Sequence, residues 1–208
     1  MKKTLFALLA IATISITSCK DEKKTTDNNS TNTEVSNSDK NEGSESSSSN
    51  SENILADVAA LNKAEKELKD LPKFKGKEIK VFQKLNIYGD GRIIMAIQDP
   101  EKPDNVDEYT YQNGKWQEPQ ALKISGGGNM DDNTFPLSQV KFETANSIFK
   151  QLEEKSKTVE GAEPVTTAFY NMNPATGEMR WISSVDGTRE SYTAIFNTDG
   201  SLKTFDKN

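Results

Sequence analysis

The sequence predicts an α+β fold: a tandem repeat in which one helix is followed by a four-stranded antiparallel meander, with the helices packed on the sheet. Three observations lead there. Apolar residues recur at helical spacing around 54–71 and again around 145–159. After each window the pattern changes to alternation, broken by turns such as Asn113-Gly114, Asp186-Gly187 and Asp199-Gly200. The two halves also answer each other. Gly91 to Ile97 aligns with Gly177 to Ile182, and Asp107 to Gly114 with Arg189 to Phe196, Asn197 to Gly200 serving as the second turn. One copy alone is small for a core, and packing two together buries more.

The chain opens with Lys2 and Lys3, an apolar run from Leu5 to Ile16, then Thr17, Ser18 and Cys19, its single cysteine. That run is too short for a bilayer core, which needs ~20 residues, so it reads as the h-region of a signal. No second cysteine exists for a disulfide, and no later apolar stretch is long enough to span a membrane. The order Ile16-Thr17-Ser18-Cys19 resembles the lipobox of a bacterial lipoprotein signal. The resemblance implies that residues 1–18 are a signal peptide, that cleavage follows Ser18, and that the Cys19 thiol carries lipid. No other cofactor is expected. Lys20, Asp21 and Glu22, directly behind the cysteine, resemble the surface-export signal of lipoproteins from flavobacteria and other Bacteroidota. That implies an outer-membrane lipoprotein facing outwards; the alternative is a solvated linker on a protein facing the periplasm.

From Lys20 to Glu52 the chain is Ser, Asn, Thr, Asp, Glu and Lys apart from Gly43, with Val35 the one large apolar residue. Such a segment cannot bury enough surface to offset its ordering entropy, so residues 19–52 are expected to be a lipidated cysteine and a disordered tether. As a flexible coil it spans roughly 30 Å root-mean-square. The folded part is 53–208, with repeat one at 53–125 and repeat two at 134–208.

Ile54, Leu55, Val58, Leu61, Ala64 and Leu68 set the apolar stripe of a first helix, with Ser51 or Asn53 as N-cap and Pro72 as its stop. Alternation then marks strands at Ile79–Ile87, Arg92–Ile97, Asp107–Tyr111 and from Lys115 onward. The residues from Ser125 to Thr134, with three consecutive glycines, read as a hinge-like connection. Ala145, Ile148, Phe149 and Leu152 place a second helix between Ser138 and Thr158. Strands return at Val165–Met172, Glu178–Val185, Arg189–Phe196 and Ser201–Phe205. This order resembles the tandem helix-plus-meander of β-lactamase-inhibitor-like and PepSY-like envelope proteins over residues 53–208. The resemblance rests on element order and turn placement, and implies a protein-binding or inhibitory module.

The chemistry is narrowed by composition. The chain has no histidine, and its cysteine is assigned to lipid, which removes Cys/His pairs, Ser-His-Asp triads and thiolate or imidazole metal sites. Its 26 basic and 32 acidic residues give a net charge of −6, and losing Lys2 and Lys3 with the signal takes this to −8. Such a chain has no electrostatic reason to hold a phosphate backbone, so nucleic acid is not an expected partner. Two Ser-x-x-Lys sequences, Ser138 to Lys141 and Ser147 to Lys150, lack the Ser-Asp-Asn and Lys-Thr-Gly companions of serine acylases. Asp99, Glu101, Asp104, Asp107 and Glu108 crowd one loop; the default is a solvated acidic loop, and calcium the alternative.

Tyr88, Tyr109, Tyr111, Trp116, Trp181 and Tyr192 lie on expected strands or their ends, as do Phe169 and Tyr170. Residues of one parity face the helices, and residues of the other face the open side of the sheet. The first six are therefore the candidate binding surface, with Tyr109 and Tyr111 bound to share one side. The expected function is non-enzymatic binding of a protein, peptide or glycan through the open sheet face or the loop at 99–108. The alternatives are an inhibitor of a secreted hydrolase, or a carboxylate-based enzyme or accessory subunit.

Overall fold

The computed structural model describes residues 53–125 and 129–208; Cys19, Lys20, Asp21 and Glu22, the signal, the expected tether and Gly126 to Gly128 lie outside them. The first helix starts later than its apolar pattern implies. Asn53 accepts from Leu55 N and caps a single 3-10 turn, Ile54–Ala56; Asp57 then accepts from Ala60 N and starts α1, Val58–Lys69. Two good capping residues four apart divide one apolar stripe, because each offers its carbonyl oxygen to a backbone N–H that a continuous helix would leave unmet at its start. The reset turns Val58 towards solvent at 38 % exposure. α2, Thr144–Ser156, buries Ala145, Ile148 and Leu152.

The strands are β1 Lys80–Tyr88, β2 Ile93–Gln98, β3 Val106–Gln112, β4 Lys115–Trp116, β5 Gln120–Leu122, β6 Thr134–Pro136, β7 Thr167–Met172, β8 Met179–Asp186, β9 Ser191–Phe196 and β10 Leu202–Lys207. They form a single antiparallel sheet in the order β10-β9-β8-β7-β1-β2-β3-β4, with β5 beside β3 and β6 beside β1. The fold is thus α+β, with two α-helices and one large antiparallel sheet among the described residues. The expected fourth strand is broken into β4 and β5, both paired to β3. Pro119 sits in the break, where its missing N–H cannot continue the ladder. The connection expected to be a hinge instead contains a 3-10 turn, Met130–Asn133, and then β6.

β1 is the spine. One side pairs with β2 throughout; the other pairs first with β6, through Lys80, Val81 and Phe82, and then with β7 from Lys84 to Tyr88. At the changeover Gln83 has φ +59°, and the β1–β2 register slips between Phe82 and Leu85. A bulge of this kind lets one strand serve two partners in succession.

Registry fixes the two faces. On the helix side, Leu202, Phe196, Trp181, Tyr170, Leu85, Met95 and Tyr109 form a row from edge to edge, each paired with the next. These side chains pack with Leu61, Ala64 and Leu68 of α1 and Ala145, Ile148 and Leu152 of α2 into one core. Burying such side chains fully contributes about 1.5–3 kcal/mol each relative to leaving them exposed. Two polar contacts tie the helical layer together. Glu65 on α1 accepts from the buried Phe142 N at 2.8 Å and also holds Lys69, while Asn146 on α2 donates to Leu55 O at 2.8 Å.

Candidate binding surface

The expected aromatic surface divides between the faces, and most of it goes inwards. Tyr109 and Tyr111, each 3 % exposed, share the helix side as their parity requires, and Trp181 is fully buried beside Tyr170. Trp116 packs edge-on against Tyr111 and donates from Nε1 to Ala64 O at 2.9 Å, which fastens β4 to α1. Tyr192 also points to the helix side, stacked on Phe205 with ring centroids 4.7 Å apart, its hydroxyl donating to Glu190 at 2.6 Å. These five are core or core-edge residues. Placing a large ring in the core removes the most apolar area from water, and that outweighs any use as a surface. Of the six, Tyr88 alone belongs to the open face. It lies edge-on to Phe169 at 5.3 Å, with the Arg92 guanidinium 4.6 Å above its ring.

The open face carries a different apolar set. Registry places Thr204, Ile195, Ile182, Phe169, Asn86, Ile94 and Thr110 in one row across seven strands. All are half-buried, none is charged, and Ile94, Phe169, Ile182 and Ile195 lie outside the core cluster together with Phe82 and Tyr88. A shorter row beside it runs Gln120, Glu108, Ala96, Phe82 and Thr134. The isoleucines carry the same alternation signal as the core side chains. Periodicity shows that two faces exist but not which one the helices cover.

Beyond the second row, at the end of the sheet where β1 begins, is a hollow of about 400 Å³ lined by Lys77, Glu78, Lys80, Gln98, Asp99, Pro100, Pro103 and Asp131. The loop after β2 forms its wall. Asp99 accepts from the backbone N–H groups of Glu101 and Lys102 and from Lys73 Nζ, 3.1 Å away. Lys73 also bonds Asp107 at 2.9 Å, and Lys77 bonds Glu101 at 3.0 Å. The backbone N–H of Glu101, followed by Lys73, holds the Asp99 carboxyl below the usual aspartate range. Burial disfavours the Lys73 ammonium, but its bonds to Asp107 and Asp99 outweigh that and raise its pKa above the ordinary lysine value. The site considered for calcium thus holds the chain's own cation between Asp99 and Asp107. Among the described residues no group of three or more carboxylates, histidines or cysteines is placed to hold a metal.

On the other wall, Lys80 Nζ bonds Asp131 at 2.8 Å, and Gln83 at the bulge donates to Asn133 at 2.9 Å, so the Met130–Asn133 turn is pinned to β1. The side chains of both Ser-x-x-Lys sequences, Ser138 with Lys141 and Ser147 with Lys150, are exposed and line no part of this hollow. No family model, curated protein or solved structure matches this chain.

Proposed function

We propose that this protein is an outer-membrane lipoprotein, facing outwards, whose folded part is a non-enzymatic binding module for a protein, peptide or glycan. One observation carries the binding part: a row of half-buried isoleucine and phenylalanine side chains crosses the sheet on the side the helices leave open. A contiguous uncharged stripe of that kind on a folded surface marks an interaction site. Of the five carboxylates clustered at 99–108, Asp99 and Asp107 are engaged by Lys73 and Glu101 by Lys77, which favours binding over acid–base chemistry.

The anchor rests on the order of residues 2–22, from Lys2 and Lys3 to Cys19 and the Lys20-Asp21-Glu22 export signal. No helix among the described residues is long and apolar enough to cross a membrane. We read the two halves of the folded part as copies of one unit, related to β-lactamase-inhibitor-like and PepSY-like proteins. The support is that a helix precedes each run of sequential antiparallel strands, and that the first strand of each run, β1 and β7, meet in mid-sheet.

The test is a photo-crosslinking residue in place of Thr110, in cells, with and without the pair Ile94→Lys and Ile182→Lys. A discrete adduct that disappears in the lysine pair, while the melting temperature holds, is the expected result. An adduct indifferent to the pair, or none at all, rules out the open face.

A further inference from the structure

We propose that the hollow at the β1 end of the sheet is a saccharide site: it takes a neutral, hydroxyl-rich ligand of one or two sugar units. This rests on the reading of the chain as a binding module, but not on the open face.

The deciding residue is Gln98. It lines the hollow, is 8 % exposed, and donates from Nε2 to Pro103 O at 2.8 Å. A carbonyl can only accept, so that bond fixes the orientation of the carboxamide and turns Oε1 away from Pro103. Among the described residues nothing donates to Oε1. Among the described residues the sealed polar side-chain atoms without a partner are Tyr170 Oη and Thr204 Oγ1, so Gln98 Oε1 opens to solvent and is free to accept an O–H or N–H from outside the chain.

The surrounding charges select the kind of donor. Lys80 is paired with Asp131, Lys77 with Glu101, and Asp99 with Lys73. Glu78, also on the lining, has no ion-pair partner among the described residues and leaves a cation one carboxylate to meet, but an incoming anion would have to break one of these pairs. A neutral polyol need not, because each ammonium keeps further N–H donors and each carboxylate keeps further lone pairs after its partner is satisfied. Pro100 and Pro103 add rigid C–H surface against which a sugar ring can lie. The volume, about 400 Å³, lies within the range of small-ligand pockets and suits one or two sugar rings better than a polymer.

The experiment uses the full-length protein, nitrogen-15 labelled, in a sugar-free zwitterionic detergent. Three neutral disaccharides are titrated at millimolar concentrations: maltose, cellobiose and N,N′-diacetylchitobiose. Inorganic phosphate and a Lys-Glu dipeptide serve as charged comparators. At least one disaccharide is expected to shift the Gln98 side-chain amide together with the backbone of residues 99–103, and the comparators are expected not to. Gln98→Met should weaken that binding about tenfold, the equivalent of one lost hydrogen bond. Lys80→Met, at the exposed rim, should weaken it without touching the buried carboxamide. If none of the three sugars shifts Gln98, or if phosphate or the dipeptide does so in their place, the proposal fails. Sugar shifts that survive Ile94→Lys with Ile182→Lys leave this site standing whatever becomes of the open-face reading.

Discussion

Replacing Lys73 by Met keeps the length of the side chain and removes its charge. The Asp99 and Asp107 oxygens each lie about 3 Å from one nitrogen, so they are no more than about 6 Å apart. Two unit charges at that spacing repel by roughly 3 kcal/mol at an effective dielectric of about 20. The three side chains are 33 %, 14 % and 21 % exposed, so solvent screening and loop relaxation reduce this to about 2 kcal/mol. For a domain of this size that is a fall of about 4–8 °C in melting temperature at neutral pH. The sign of the pH dependence follows from Asp99. Its folded pKa is depressed, so its contribution is present above the unfolded value near ~3.9 and is lost as pH falls through the folded value. The gap between wild type and Lys73→Met should therefore be full at pH 7, shrink with added salt, and close in acid below the aspartate range. Calorimetric melts over a pH and salt grid measure it. A gap of the same size in acid and in high salt would mean that Lys73 acts through its aliphatic stem, and the electrostatic reasoning would be refuted.

Glu65→Leu leaves the buried Phe142 N–H without an acceptor and should cost about 1–3 kcal/mol, whereas Glu65→Gln keeps an acceptor and should cost clearly less; urea titrations of both decide it, and equal losses would sink the argument. Cys19→Ser should release the protein from the membrane fraction or leave it as unprocessed precursor, read by fractionation and intact mass; a processed, membrane-bound variant would contradict the anchor.

The elements were legible in the sequence because both periods are strong. Leu61, Ala64 and Leu68 announce a helix, and Leu85, Ile87, Ile93 and Met95 announce strands, whose side chains the structure places in the core. The ends were less legible where capping chemistry decides them, as at Asp57, and where a single proline interrupts a ladder, as at Pro119. β6 and the Gln83 bulge left no readable trace. Their pairing joins residues more than 50 positions apart, and three residues are too few for a period. The candidate surface was half legible. Parity tied Tyr109 to Tyr111, but nothing local says that the helices claim that parity, and the cross-strand row through Ile94, Ile182 and Ile195 exists only once register is known. Gln98 gave no signal, because its meaning depends on the Pro103 carbonyl and on lysines from other elements.

The first described residue also decides how the folded part bears load. Asn53 is clasped from two sides: its side chain donates to Val165 O at 2.7 Å, and Ile54 N bonds Gly89 O at 3.1 Å. Those partners sit where β1 ends and β7 begins, the two innermost strands, while the sugar-sized hollow lies at the opposite tip of β1. Tension applied at Asn53 therefore falls first on these two hydrogen bonds at the middle of the sheet, and not on an outer strand.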